Sequence, residues 1–334
     1  ILKVIEMIQT ALVTGGAGFI GSHMVDLLLS KNMKVRVIDN LTGGHLENLS
    51  HHRGNKNFIF AKKDINKIKT SDAIFKEVDY IFHFAGIGDI VPSIENPQRY
   101  LETNTMGTLK ILEGARSNKI KKFVYAASSS CYGLAKTPTN EKGEIRPEYP
   151  YAMSKYIGEK YAFHWNQVYN LPVISMRIFN AYGTRVRTTG AYGAVFGVFL
   201  KQKLENKPFT IVGDGNQTRD FIFSTDVAEA FRLCAESQYI NQIYNLGNGE
   251  PKSINYIAEL IGGKKTFIPE RPGEPNCTWA NIDKISKDLN FYPKVSIEEG
   301  IQIMLDNIDD WKNAPLWDQD SISIATQNWF KYLK

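Results

Sequence analysis

Through the first half of the chain, short runs of consecutive apolar residues recur between longer stretches of helical period. The runs fall at residues 11–13, 34–38, 58–61, 80–84, 122–127 and 173–177, and helical patterns at 22–29, 100–117 and 151–169. Apolar runs of that length, without polar alternation, are the mark of strands buried on both faces, and the intervening helices supply the crossovers. The pattern predicts an α/β fold with a doubly wound parallel sheet and helices on both sides. The run at 58–61 reads as a buried strand like the others. From Tyr182 onward the rhythm loosens, Gly, Pro and Arg become frequent, and isolated helices are predicted at 195–204 and 227–237. This part reads as a smaller mixed α/β substrate domain over the carboxyl ends of the strands, where ligands sit in open α/β sheets. The expected division assigns 7–181, with a returning segment around 222–248, to the sheet domain, and 182–221 with 249–334 to the other. No internal repeat or low-complexity segment is visible.

The junction of the first run with the first helix carries Thr14-Gly15-Gly16-Ala17-Gly18-Phe19-Ile20-Gly21. Gly16, Gly18 and Gly21 fit G-x-G-x-x-G, and Gly15, Gly18 and Gly21 fit G-x-x-G-x-x-G. Glycines there let the backbone turn tightly and approach a pyrophosphate held at the helix N-terminus. The second run ends in Asp39, where a carboxylate meets the adenosine ribose hydroxyls. An acid at that place favours NAD, because a 2′-phosphate would be repelled. The sheet is therefore expected to be of Rossmann type.

Composition narrows the class further. At 334 residues the chain exceeds the usual single-domain size, and 43% apolar with 22% charged residues is ordinary for a globular protein. No apolar run is long enough to span a membrane, and no signal peptide is visible. Residues 1–6 precede a natural start at Met7 and are set apart from the fold argument. Cys131, Cys234 and Cys277 are far apart, without metal-ligand spacing, and suggest a reducing cytoplasm and no metal. The net charge of +5 comes from scattered basic residues without aromatic interleaving, which gives no sign of nucleic-acid binding.

Two further features carry chemistry. Tyr151 and Lys155 stand four apart at the start of a predicted helix, on one face. A phenol near pKa 10 is a poor base at neutral pH, and a neighbouring ammonium lowers that pKa. By itself the spacing also suits a packed helix with an exposed lysine. Upstream, Ser128-Ser129-Ser130 ends the run at 122–127, where hydroxyls could meet a sugar oxygen or simply form a polar turn.

Together these residues resemble the extended short-chain dehydrogenase/reductase family, specifically its NAD-dependent nucleotide-sugar epimerases and dehydratases. The closest likeness is to UDP-glucose (UDP-galactose) and UDP-N-acetylglucosamine 4-epimerases. The resemblance continues through Asp39-Asn40-Leu41, Asp64-Ile65, His83-Phe84-Ala85-Gly86, Asn104 with Gly107-Thr108, and Arg177-Ile178-Phe179-Asn180-Ala181-Tyr182-Gly183. It ends with Gly213-Asp214-Gly215, Thr218-Arg219-Asp220-Phe221 and Arg271-Pro272-Gly273-Glu274. It implies that Tyr151 takes the proton of the sugar 4-hydroxyl, that Lys155 holds the nicotinamide ribose and depresses the tyrosine pKa, and that Ser128 is the catalytic serine. It implies cofactor contacts from Gly15, Gly18, Phe19, Ile20, Gly21, Asp39, Asn40, Phe84, Ala85 and Gly86, with Asp64 and Ile65 at adenine and Asn104 nearby. Asn180, Arg219 and Arg271 would hold the substrate diphosphate, and Ser129, Glu274 and Thr278 would complete the substrate site. A homodimer in the cytoplasm, serving carbohydrate metabolism such as polysaccharide biosynthesis, is the family expectation.

The shared first step of such enzymes is oxidation at sugar C4. The resembling 4,6-dehydratases carry Asp-Glu directly after the catalytic Ser/Thr, whereas this chain has Ser129 and Ser130, whose hydroxyls are not acid/base groups near neutral pH. C4 epimerisation is therefore the expected reaction, with 4,6-dehydration as the alternative and a silent NAD-binding scaffold as the remote one. Two departures bear on the sugar. Gly88 falls where galactose epimerases carry lysine, and the segment after Gly183 (Thr184 to Tyr192) lacks their longer insert. Small Thr278 before Trp279-Ala280, or Cys277 in a shifted alignment, would leave room for an N-acetyl group at C2. The base and the sugar stay open.

Overall fold

A computed structural model describes residues 8–188 and 195–333. Its centre is a seven-stranded parallel sheet. The strands are β1 (Thr10–Thr14), β2 (Lys34–Asp39), β3 (Phe58–Lys62), β4 (Tyr80–His83), β5 (Lys122–Ser128), β6 (Val173–Ile178) and a late strand at Gln242–Leu246. Their spatial order is Gln242–Leu246, β6, β5, β4, β1, β2, β3, so the chain reverses direction across the sheet between β1 and β4. The open crevice of a doubly wound sheet lies at that reversal, outside the carboxyl ends of the strands.

Alternation along each strand divides the core into two layers. Ala11 and Val13 of β1 and Val124 and Ala126 of β5 pack with Met24, Leu28, Val227 and Phe231 on one side. Leu12, Phe123 and Tyr125 pack with Phe75, Ile111, Leu112 and Ala162 on the other. The helices involved are α1 (Phe19–Ser30), α4 (Thr108–Ser117), α5 (Pro150–Tyr169) and Ser224–Glu236. A separate cluster built on Phe199, Phe209, Ile257, Met304 and Trp311 holds the later residues together. It surrounds the parallel pair Phe209–Val212 and Lys265–Ile268 and the helices Val195–Leu204, Ile254–Ile261 and Ile297–Asp306.

Two local expectations change. The run at 58–61 is an edge strand, not a strand buried on both faces: Ile59 is 54% exposed. Continuous apolar character reported a strand there, but the sheet order leaves β3 with one neighbour. The helix expected over 100–117 is three pieces: α3 (Pro97–Leu101), a π-helical turn at Glu102–Gly107, and α4. The wide turn, a form common at functional sites, carries buried Asn104, whose amide reaches Ile87 and Ser154, while the Thr105 hydroxyl donates to the Ser154 carbonyl. Period alone cannot report such an insertion. Among the described residues no helix is long and apolar enough to cross a membrane. Residues 189–192 of the segment compared for insert length lie outside the described residues.

Candidate active site

The glycine turn follows β1 directly. Gly15 has φ +69° and is so close to the next loop that a Cβ would lie 2.7 Å from the Ala85 amide nitrogen. A Cβ on Gly21 would lie 2.2 Å from the Gly15 carbonyl oxygen. Both positions therefore exclude any side chain, which is why the turn needs glycine. α1 begins at Phe19 with Gly18 as N-cap, no capping side chain and no acidic residue in its first turn. Its first N–H groups and dipole are left for an anion. Ile20 packs into the core below.

Asp39 ends β2 and is buried. Its carboxylate accepts from the Ala17 amide (3.0 Å) and the Leu41 amide (2.8 Å), and burial raises its pKa against those bonds. Two accepted bonds leave a carboxylate with lone pairs to spare, so the residue both clamps the turn and can still receive ribose hydroxyls. Asn40 is exposed and its amide reaches the Asp64 carboxylate at 3.4 Å. Asp64 caps the turn containing Ile65 through the Asn66 amide, and Ile65 is buried beneath Gly107, where a Cβ would meet it at 2.5 Å. Phe84 packs at a tilt against Phe231, ring centroids 4.6 Å apart, and the Ala85 amide donates to the Thr14 hydroxyl at 3.3 Å. Asn104 grips the loop after Gly86: its Oδ1 accepts from the Ile87 amide at 2.8 Å, and its amide donates to the Ile87 carbonyl and to Ser154. The asparagine expected near the cofactor fixes the loop that follows Gly86. His83, fully buried between Thr14 (2.7 Å) and Thr108 (2.9 Å), is held neutral, its pKa driven to about 3 by burial and then by Lys155.

α5 begins with Pro150 at its first turn, which pre-sets the helical φ. Tyr151 and Lys155 follow one turn apart. Lys155 is not exposed: it is 7% accessible, its Nζ lies 4.7 Å from the Tyr125 ring centroid, and burial lowers its pKa to about 8 against the pull of Glu159. Tyr151 shares a hydrogen bond with Ser128, and the net effect of its surroundings is to raise its pKa, burial outweighing that bond. This differs from the expected depression by Lys155. The groups acting on the phenol are burial, Ser128, Asp89 and Cys131, and the lysine faces Tyr125. One turn further, Glu159 forms a buried bidentate pair with Arg177 of β6 (2.6 and 3.0 Å) and accepts from Ser175, locking the helix to the sheet.

A cavity of about 480 Å³ opens over these groups and extends to the later segments. Ser128, Ser129, Tyr151, Asn180, Arg219, Arg271, Glu274 and Thr278 all line it, although they come from five separate places in the chain. Arg219 donates to Glu274 at 2.8 Å, and Arg271 stands 3.7 Å from the other Glu274 oxygen, so two guanidinium groups converge on one carboxylate. Convergent arginines are the geometry that suits a diphosphate. The Thr278 hydroxyl donates to Asn180 Oδ1 at 2.8 Å.

Three lining residues escaped the sequence reading. Tyr149 stacks on Tyr151 (6.3 Å, 10° between planes) and hydrogen-bonds Ser130. Trp329, from the helix Gln327–Tyr332, lies 6.4 Å from the Tyr149 ring. Asp89 faces Tyr151 and pairs with Arg187 at 3.1 Å. The Tyr-Pro-Tyr run at 149–151 was a usable signal for the first; nothing local marks the others. As for metals, Asp26, His51 and His52 form the one candidate cluster among the described residues, but none of them lines the cavity, and Arg185 occupies the second Asp26 oxygen at 2.7 Å.

The sequence model of the NAD dependent epimerase/dehydratase family matches residues 11–247. The chain belongs to that family. The resemblance drawn from its motifs is thereby met, and with it the doubly wound sheet and the dependence on NAD. A UDP-glucuronate 4-epimerase of Thermodesulfobacterium geofontis is 34% identical over 306 residues, 87% of this chain and 93% of that protein. Among solved structures, a UDP-N-acetylglucosamine 4-epimerase from Methanobrevibacter ruminantium, in complex with UDP-N-acetylmuramic acid, is 32% identical with a TM-score of 0.84. It covers 90% of this chain and 99% of its own. The UDP-glucuronic acid 4-epimerase of Bacillus cereus, in complex with UDP-glucuronic acid and NAD, gives the same identity, coverage and TM-score.

Proposed function

We propose that this protein is an NAD-dependent enzyme that inverts C4 of a nucleotide-diphosphate sugar through a 4-keto intermediate. The observation that carries this reading is the meeting of Ser128 and Tyr151 in a cavity whose other lining includes Arg219 and Arg271, with Lys155 buried one helical turn beyond Tyr151. NAD, when bound, supplies a hydride acceptor that can later give the hydride back. Tyr151 takes the proton of the 4-hydroxyl and returns it at the end. Ser128, already hydrogen-bonded to that phenol, shares the proton path. Lys155, one helical turn beyond Tyr151, would hold the nicotinamide ribose. Asn180, Arg219 and Arg271 hold the diphosphate, with Glu274 keeping both guanidinium groups aimed at it. Residues 7–181 with the return at 222–248 are assigned to NAD, and 182–221 with 249–334 to the nucleotide sugar.

Dehydration would need a free carboxyl acid/base pair. The carboxylates lining the cavity are each engaged: Asp89 with Arg187, Glu148 with Arg146, Glu274 with Arg219. This supports epimerisation. Thr278 is small and lines the cavity, which supports a pocket that accepts an acetamido group at C2 beside plain hexoses. The exposed apolar side chains Leu101, Met106 and Met153 lie on elements packed against one another, and they support a homodimer through that face. A cytoplasmic enzyme supplying sugars for polysaccharide synthesis completes the reading. The deciding experiment incubates the protein with a panel of UDP-sugars in D₂O and follows products by NMR. A C4 epimer without solvent deuterium is expected; deuterium at C5 with loss of the C6 hydroxyl means dehydration, and no turnover with NAD bound means a scaffold.

A further inference from the structure

The last helix of the chain does not pack away from the site; it returns to it. Trp329 is 5% exposed and lines the same cavity as Ser128 and Tyr151. Its ring lies 6.4 Å from Tyr149, which stacks on Tyr151. The Arg271 guanidinium stands 5.6 Å from its centroid. The indole therefore neighbours both the aromatic pair that carries the group assigned to the sugar 4-hydroxyl and a cation assigned to the diphosphate. In a nucleotide sugar the hexose lies between those two groups.

The ring is also held in place. Its Nε1–H donates to the Pro272 carbonyl at 2.6 Å, and the adjacent Asn328 amide reaches Glu95 of the helix Ile90–Glu95 at 3.2 Å. The first turn of the helix is thus tied both to the loop carrying Arg271 and to the helix Ile90–Glu95. The preceding helix Gln319–Ala325 is closed by a capping box between Asp318 and Ser321. An aromatic ring fixed this way offers a flat apolar surface at little cost in conformational freedom. A pyranose presents C–H faces between its hydroxyls, and the hydroxyls have Ser129, Ser130 and Asn180 across the cavity lining.

We propose that Trp329 is a specificity-determining residue of this enzyme, forming the wall against which the pyranose of the nucleotide sugar packs. The proposal rests on the reading of the site as a nucleotide-sugar 4-epimerase. Because the wall faces the sugar and reaches the diphosphate only through Arg271, its removal costs UDP-sugar binding more than UDP binding.

The test uses the full-length protein as purified with its cofactor, and UDP, UDP-glucose, UDP-N-acetylglucosamine and UDP-glucuronate as probes, each titrated by calorimetry. For the UDP-sugar that binds best, Trp329→Ala is expected to weaken binding and raise KM by about 10- to 100-fold, with a markedly smaller loss for UDP, which feels only the change at Arg271. Trp329→Leu, which keeps apolar bulk against Pro272 and Tyr149, is expected to show the same selective loss if the alanine variant melts early, and Trp329→Phe to retain most of the sugar affinity. Equal losses for UDP and UDP-sugar, unchanged sugar affinity in both variants, or wild-type binding of every UDP-sugar no tighter than UDP would overturn the proposal. Calorimetry needs no turnover. A wild type that binds UDP-sugar through Trp329 but forms no C4 epimer refutes the reaction and keeps the wall; one that forms the epimer equally well in the variants keeps the reaction and refutes the wall.

Discussion

The cofactor side and the sugar side of the crevice are built on opposite plans. On the cofactor side each polar side chain is satisfied by backbone or neighbours inside the same sheet domain: Asp39 by the amides of Ala17 and Leu41, Asn104 by Ile87 and Ser154, His83 by Thr14 and Thr108. On the sugar side the pairs join distant segments: Arg219 with Glu274, Thr278 with Asn180, Tyr149 with Trp329. The first side is set by the order of strands and turns and is formed before any ligand arrives. The second exists only once segments far apart in the chain have come together, and its partly exposed ion pairs can yield to an anionic substrate. A site of this kind keeps the chemistry on rigid elements and leaves substrate choice to loops and chain ends.

The contrast can be pressed hardest at Tyr151. Tyr151→Phe keeps the ring stacked on Tyr149 but removes the proton acceptor, so turnover should fall about 10²–10⁴-fold while bound NAD and the melting temperature stay near wild type. Near-normal turnover would move the base elsewhere. Glu159→Gln should be costly in a different way. It strips the partner from Arg177 in a pair whose side chains are 2% and 4% exposed, and loss of one member of a buried pair costs about 3–5 kcal/mol. Denaturant unfolding of the cofactor-free protein measures it; a loss near zero would show that the sheet side is not held by this pair.

A third effect is gated by pH. His83 binds a proton near its usual 6.5 when unfolded but only near 3 when folded, because burial and Lys155 disfavour the charged ring. Over that window the unfolded chain holds more protons, so this contribution is complete above pH 6.5 and is lost as the pH falls toward 3. The melting temperature should drop across the same interval, and His83→Asn should flatten that slope. Lys155 acts in the same sense at the alkaline end, easing its own burial as pH rises from about 8 toward 10.5. The smallest change is expected on the sugar side. Glu274→Gln leaves two arginines in a partly exposed setting, so stability should change by about 1 kcal/mol or less. The KM for the UDP-sugar should nonetheless rise severalfold as the guanidinium groups lose their aim. A large stability loss there would erase the distinction between the two sides.

Most of the cofactor side was legible along the chain because its determinants are local. A strand, a glycine turn and a helix are contiguous, and Gly15 and Gly21 are required by contacts within a few residues or with the neighbouring loop. Ser128 and the pair Tyr151 and Lys155 were legible by resemblance, though the burial of Lys155 and the raised pKa of Tyr151 were not, since both depend on what the folded chain places around them. Trp329 and Asp89 left no local trace. The edge position of β3 and the π-helical turn at Glu102–Gly107 were hidden for the same reason.

By itself the sequence determined which segments become strands and helices of the sheet domain, where the backbone can approach a pyrophosphate, and which hydroxyls and ammonium stand within a turn of one another. Those are properties of neighbouring residues, set by side-chain period, glycine conformational freedom and helical spacing. Only the tertiary structure decided that Arg219 and Arg271 share one carboxylate, that Asn104 fixes the loop after Gly86, and that a tryptophan near the end of the chain lines the cavity opened by residues near its middle. Charge environment and cavity shape are sums over everything that packs nearby, and much of what packs nearby comes from far along the chain.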